Sequence, residues 1–132
     1  MTRFALDTNA ISYALSGKGD VRRRLSHTQK ADVGLPTLCM FEVWRGARLK
    51  RWGGARLQVL TTFLTQYAEL PFDSAAADHA SDIAATLEQA GTPIGPLDTL
   101  IAGVARSRAS ILVTHNTREF SRVPGLMIED WY

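Results

Sequence analysis

The stretch that most constrains this chain is Arg3-Phe4-Ala5-Leu6-Asp7-Thr8-Asn9. Phe4-Ala5-Leu6 is an apolar run of buried-strand character, and Asp7-Thr8-Asn9 stops it at once. A carboxylate at the end of a buried strand has two natural uses. It can cap the first turn of the following helix, which Asp does well. It can also face the crevice that an open parallel sheet forms beyond the carboxyl ends of its strands. Both stay open for Asp7 on this stretch alone, and the placement of the other acids decides between them.

The rest of the chain alternates short apolar runs with helical periodicities. Residues 9–17 read as a short helix closed by Gly17-Lys18-Gly19. Residues 20–29 read as a second, with Asp20 as N-cap and Val21 and Leu25 inward. Residues 31–35 form a strand ended by Pro36. Thr37 is the expected N-cap of a long helix to about Arg51, with Leu38, Phe41, Trp44 and Leu49 as its inner stripe. Gly46 and Ala47 suit a close helix contact within it. Trp52-Gly53-Gly54 breaks that pattern, and Leu57, Leu60, Leu64 and Tyr67 mark the next helix. Residues 68–72 are a third strand. Asp73 caps an alanine-rich helix that ends at Gly91, with Ile83 and Leu87 inward. Pro93-Ile94-Gly95-Pro96 is a rigid turn into a helix over residues 97–108. Residues 110–113 are strongly β-prone, residues 116–120 make a helical turn, and residues 126–128 a last strand. This alternation predicts an α/β fold with a central, mainly parallel sheet and helices on both faces. With no linker, repeat or low-complexity segment, one domain over residues 1–132 is expected.

Composition narrows the class. At 45% hydrophobic and 21% charged residues, the 132-residue chain is an ordinary globular one. No apolar run reaches the length of a membrane span, and the start reads as a strand rather than a signal peptide. Cys39 is alone, which fits a reducing cytoplasm, and its apolar surroundings suit the core rather than a nucleophile. Net charge is only +2, yet 12 of the 15 basic residues are Arg, the side chain best suited to bidentate phosphate contacts. Arg45, Arg48, Lys50, Arg51 and Arg56 cluster with no acid between Glu42 and Glu69, and Arg22-Arg23-Arg24 form a second group. A solvated helix face and a nucleic-acid surface are both compatible with such runs.

Three more acids stand in unusual company. Glu42 lies beside the Phe41/Trp44 stripe of its helix. Asp98 opens a helix whose next residues are Leu100, Ile101, Ala102 and Val104. Glu119 follows the fourth strand in Thr114-His115-Asn116-Thr117-Arg118-Glu119-Phe120. Each has an ordinary alternative: Asp98 as a cap, Glu42 paired with Arg45 or Arg48, and Glu119 paired with Arg118 or Arg122. If these three converge with Asp7, mutual repulsion of about 3 kcal/mol per pair at 5 Å requires protonation or a divalent cation. Hard oxygen ligands of this kind select magnesium or manganese and not zinc.

These residues carry a resemblance. Phe-Ala-Leu-Asp-Thr-Asn at 4–9, Thr-Leu-Cys-Met-Phe-Glu-Val-Trp-Arg-Gly-Ala at 37–47, Ile-Gly-Pro-Leu-Asp-Thr-Leu-Ile-Ala at 94–102 and Leu-Val-Thr-His-Asn-Thr-Arg-Glu-Phe at 112–120 resemble the PIN-domain ribonucleases. Within them, the chain looks like the VapC toxins of bacterial toxin–antitoxin pairs. The resemblance implies a PIN-like three-layer α/β/α fold and an acidic metal-binding quartet at Asp7, Glu42, Asp98 and Glu119. It also implies Mg2+- or Mn2+-dependent endonucleolytic cleavage of RNA, often in tRNA loops. Asn9 and Thr114 match supporting polar positions. Asn116 stands where many PIN domains carry Asp, which weakens a second metal site. Arg45, Arg48, Arg51, His115 and Arg118 are the candidate RNA contacts. As partners the resemblance implies a homodimer and a VapB-type antitoxin, with operator DNA bound through the antitoxin.

Rival readings fail on particular residues. A haloacid-dehalogenase-like phosphatase needs an acid two residues after Asp7, where this chain has Asn9. A receiver domain needs an acidic pair before its phosphoacceptor and a late Lys, and no Lys follows Lys50. A catalytically silent RNA- or protein-binding module with the same acidic pocket stays the alternative.

Overall fold

The computed structural model describes residues 2–132. Strand β1 (Phe4–Leu6) is buried along its whole length and sits at the middle of a five-stranded sheet of order β3-β2-β1-β4-β5. Its neighbours are β2 (Val33–Pro36) and β4 (Ile111–Val113); β3 (Ala68–Leu70) and β5 (Ile128–Glu129) are the edges. Every pairing is parallel, so the mainly parallel sheet expected is wholly parallel. Helices cover it: α1 (Thr8–Ser16), α2 (Val21–Ser26), α3 (Thr37–Leu49), α4 (Gly54–Leu64), α5 (Ser74–Gln89), α6 (Pro96–Ser107) and the short α7 (Thr117–Phe120). This is the three-layer α/β/α arrangement. A parallel strand covered on both faces needs apolar side chains on both, as Phe4, Ala5, Leu6, Leu35, Leu112 and Val113 supply.

The chain moves from β1 through β2 to β3 on one side, then crosses to β4 and β5 on the other. The strand order therefore reverses between β1 and β4, and a crevice opens there beyond the carboxyl ends of the strands. Register pairs Leu6 with Val113, so Asp7 and Thr114 leave the sheet side by side.

Several expectations are corrected. On α3 the buried positions are Cys39, Met40, Val43 and Ala47, whereas Phe41 and Leu49 are 56% and 68% exposed. The inner face is thus one residue around from the predicted stripe, and small Ala47 rather than Leu49 meets the core. Gly46 has nothing near its Cβ position, so no close contact explains it. Pro36, not Thr37, is the N-cap of α3, without a side-chain bond. Asp20 occupies its N-cap position but gives its carboxylate to Arg23. A genuine close approach occurs instead at Gly103, where a Cβ would lie 2.8 Å from the Ala76 carbonyl oxygen on α5.

Candidate active site

Asp7 is 5% exposed. It serves as N-cap of α1, with the Ala10 N–H donating to its Oδ1 at 2.8 Å. Capping and crevice are therefore compatible: the same carboxylate closes the first turn of α1 and stands at the switch point. Burial raises its pKa above the ordinary carboxylate value. The Thr114 side chain and the Ala10 N–H oppose this, the Glu42 charge adds to it, and the Asn9 N–H opposes it again. Asn9 thus contributes its backbone, while its side chain is exposed. Thr114 is itself buried and accepts from the Asn116 N–H at 2.9 Å.

Glu42 is half-buried, and its Oε1 accepts a hydrogen bond from the Thr8 hydroxyl. Asp98 lies in the first turn of α6, whose N-cap is Gly95, so it is not the cap. Its carboxyl is pushed up to about 6, first by burial and then by the charges of Glu119, Glu42 and Asp7, with Glu119 also in hydrogen-bonding reach. Glu119 accepts from Asn116 Nδ2 at 3.1 Å. The structure therefore brings the four acids from β1, α3, α6 and α7 into one electrostatic neighbourhood. None of the surface pairings with Arg45, Arg48, Arg118 or Arg122 forms among the described residues.

The donor set is all oxygen: four carboxylates, the Thr114 hydroxyl and the Asn116 amide. That chemistry fits Mg2+ or Mn2+. The spacing is open, since among the described residues no three His, Cys, Asp or Glu side chains stand close enough to hold one ion as placed.

Thr8 is the residue that sequence reasoning missed. Its hydroxyl orients Glu42 and also reaches the buried Cys39, whose thiol is pushed well above its ordinary range by burial. A polar β-branched residue directly after a strand-ending acid was the available signal.

The candidate RNA contacts divide. Arg45, Arg48 and Arg51 are exposed on or just after α3, and Arg118 is exposed on α7. His115 is exposed, holds Asp130 at 2.9 Å and stacks on Tyr132 at 4.2 Å between ring centroids. Lys50 and Arg56, read in one cluster with Arg45, Arg48 and Arg51, turn instead into a groove of about 490 Å3 among α1, α3 and α4, beside Glu42 and Thr8. Trp52 lies in that groove under the Arg56 guanidinium at 4.3 Å. The second basic group is structural: Arg22 holds the carbonyls of Ala14 and Leu15, Arg23 pairs with Asp20 and Arg24 with Glu129.

Residues 4–126 match the PIN domain. The chain is 40% identical over 132 residues to a tRNA(fMet)-specific endonuclease VapC of Shigella flexneri, covering 99% of each. It superposes on the DNA-bound VapBC structure from Salmonella typhimurium with a TM-score of 0.88 and 36% identity over 100% of both chains. The VapBC2 structure from Rickettsia felis, bound to a promoter DNA fragment, gives 0.90 and 27%, covering 99% of this chain and 100% of that one. The chain belongs to the PIN-domain family, in its VapC ribonuclease branch.

Proposed function

We infer that this protein is the toxin of a type II toxin–antitoxin pair, a metal-dependent endoribonuclease that hydrolyses phosphodiester bonds in RNA. The observation that carries this is the pressure of three acids, Glu119, Glu42 and Asp7, on Asp98 at the switch point, with no salt bridge to any of the four among the described residues. Carboxylates gathered without a cationic side chain between them favour the uptake of a divalent cation. The substrate is tRNA, a proposal supported by the Shigella relative, a tRNA(fMet)-specific endonuclease.

In this scheme Asp7, Glu42, Asp98 and Glu119 hold Mg2+ or Mn2+. When bound, such an ion lowers the pKa of a water and neutralises charge growing on a phosphoryl oxygen. The chain's own residues set the geometry. Thr114 and the first turn of α1 fix Asp7, Thr8 orients Glu42, and Asn116 orients Glu119. Asn9, Thr114 and Asn116 support the site without adding charge. Arg45, Arg48, Arg51, His115 and Arg118 contact the RNA backbone and bases around it.

The protein acts as one domain over its 132 residues, in the cytoplasm where tRNA is, and as a homodimer. A VapB-type antitoxin neutralises it and links the complex to operator DNA; the VapBC neighbours support this partner. No helix among the described residues is long and apolar enough to cross a membrane.

The test is direct. Purified wild type and Asp7→Asn are incubated with total tRNA in Mg2+, Mn2+ or EDTA, and new 5′ ends are sequenced. Discrete cuts by the wild type that vanish in EDTA and in the folded variant are expected. Cutting by Asp7→Asn at the wild-type rate would sink the proposal.

A further inference from the structure

Glu119 stands on the shortest α-helix of the described residues, α7, a single turn that does not hold itself together. Two buried side chains seat it, Phe120 and Val123. Beyond α7 the backbone continues in tight turns: the Arg122 N–H donates to the Glu119 carbonyl and the Val123 N–H to the Phe120 carbonyl, each at 3.1 Å. In such turns residues three apart lie one above the other. Phe120 and Val123 therefore form one row, facing the core, and Glu119 and Arg122 form the next. Two apolar contacts in line fix the depth of α7 better than its roll, and a roll moves Glu119. Arg122 opposes that motion from the same row, since its guanidinium donates to the Pro93 carbonyl at 3.0 Å. It pairs with no acid among the described residues, Glu119 included. The far end of this tether is stiff. Pro93 and Pro96 bracket the turn into α6, whose N-cap is Gly95. A Cβ at Gly95 would lie 3.4 Å from Asp98 Oδ2, so the turn is in contact with that carboxylate. A second arginine works from the other end of α6. Arg106 donates to the Pro124 carbonyl at 3.0 Å, while His79 and Asp82 of α5 hold its other nitrogens. Both straps end on backbone carbonyls, which leaves Asp98 and Glu119 without a cationic side chain between them.

We propose that Arg122 is a positioning residue of the acidic site: by holding α7 to the Pro93 carbonyl it sets the separation of Glu119 from Asp98. Arg122 acts through Glu119 and not on the reacting atoms. Its contribution is the tether and not the charge. A fixed positive charge beside the carboxylates opposes the arrival of a cation, so an arginine present only as a charge weakens the site, whereas a tether strengthens it. Removing Arg122 therefore has opposite signs under the two roles. The inference rests on the metal-dependent reading proposed above and adds to it the residue that holds one of the four acids in place.

The experiment titrates the full chain with Mn2+ in the absence of RNA and reads free Mn2+ by electron paramagnetic resonance. Wild type, Arg122→Ala, Arg122→Lys, Arg118→Ala and Asp98→Asn are compared, each well below the Tm it shows in EDTA. Arg122→Ala is expected to bind Mn2+ roughly ten-fold more weakly than wild type, and Arg122→Lys, which keeps a donor, to recover most of that loss. Arg122→Gln, which keeps the stem but not the reach, carries the same expectation should the alanine variant not fold. Arg118 is exposed on α7 and controls for charge, so its removal should leave the affinity unchanged or slightly tighter. Hydrogen exchange in EDTA supplies a readout without any ion: the Ser121, Arg122 and Val123 amides should exchange faster in Arg122→Ala and at the wild-type rate in Arg118→Ala. In tRNA cleavage the kcat of Arg122→Ala should fall at low Mn2+ and recover at saturating Mn2+, with KM for tRNA unchanged. Wild-type or tighter Mn2+ affinity in Arg122→Ala overturns the proposal. So does an equal loss in Arg118→Ala, or a raised KM with kcat intact, which marks a phosphate contact. If Asp98→Asn loses Mn2+ while Arg122→Ala keeps it, the tether falls and the metal site stands. If the wild type binds no Mn2+ at about 1 mM, the weak end of oxygen-ligand cation sites, both fall.

Discussion

Replacing Asp98 by Asn should make the ion-free protein more stable. In the folded chain the Asp98 carboxyl sits at about 6, against 3.8 for a free one, because of burial and then the charges of Glu119, Glu42 and Asp7. A carboxyl raised in this way favours the folded state only below pH ~4, where it is protonated in both states; the advantage is lost as pH rises through about 6. At pH 7.5 the ionised group therefore weighs against folding by about 3 kcal/mol, at about 1.36 kcal/mol per pH unit. Asp98 is partly open to water, and screening reduces this to about 1–2 kcal/mol. Asn keeps the shape and removes the charge. In urea titrations with EDTA at pH 7.5, Asp98→Asn should unfold about 1–2 kcal/mol later than wild type, equivalent to roughly 3–8 °C in Tm for a chain of this size. At pH 4 the two should coincide. With Mg2+ the wild type should gain and the variant should not, so the gap narrows as cleavage is lost. A variant less stable than wild type in EDTA at pH 7.5, or a gap that is the same at pH 4, refutes the electrostatic account.

Mg2+ itself should raise the wild-type Tm at pH 7.5 by more than twice the rise at pH 5, because Asp98 keeps its proton below about 6 and competes with the ion; calorimetry at the two pH values checks this. Thr8→Val removes the donor to Glu42 and should cost about 0.5–1.5 kcal/mol in stability, with a loss of tRNA cleavage larger than thermal unfolding at the assay temperature explains. Gly103→Ala should lower stability by about 1–3 kcal/mol although alanine is the better helix former, since its Cβ would meet the Ala76 carbonyl at 2.8 Å and the Ala80 nitrogen at 2.9 Å on a backbone that cannot step aside. An unchanged or raised Tm for that variant would mean that α5 and α6 can part freely.

What the sequence made legible follows from where the physics is local. Phe4-Ala5-Leu6-Asp7 announced a buried strand ending in a carboxylate because the change of polarity is abrupt. Asp73 announced its helix because capping acts over three residues, and its Oδ1 does accept from the Ala76 N–H at 3.0 Å. The inner face of α3 was not legible. Two apolar stripes run side by side there, Leu38/Phe41/Leu49 and Cys39/Met40/Val43/Ala47, and periodicity cannot say which faces the protein. The structure turns the smaller residues inward, where α3 meets α1, α6 and β2, keeps Leu38 and Trp44 half-buried against the core, and leaves Phe41 and Leu49 out. The basic cluster divided for a related reason: neighbours in sequence on a helix lie on different faces, so Lys50 and Arg45 open onto separate surfaces. His115 with Asp130 and Tyr132 depends on a strand pairing, β4 with β5, which brings together residues 15 or more positions apart.

The four acids do not share their burden equally, and the inequality indicates what the site is arranged to do. Asp7 has the Ala10 N–H and Thr114, Glu42 has Thr8, and Glu119 has Asn116. Asp98 has no donor among the described residues; its neighbours are the other carboxylates. Three acids are therefore positioned by hydrogen bonds, and the fourth stores the repulsion. A chain selected only for stability would relieve that repulsion with one amide, as it already does at Asn116. Keeping an acid at 98, on the first turn of a helix whose remaining residues are nearly all core, concentrates the cost at the group that gains most when positive charge enters the crevice. On the proposed metal site, binding of the ion and relief of Asp98 would be the same event, which would tie the affinity of the site to the geometry that Asp7, Glu42 and Glu119 hold ready.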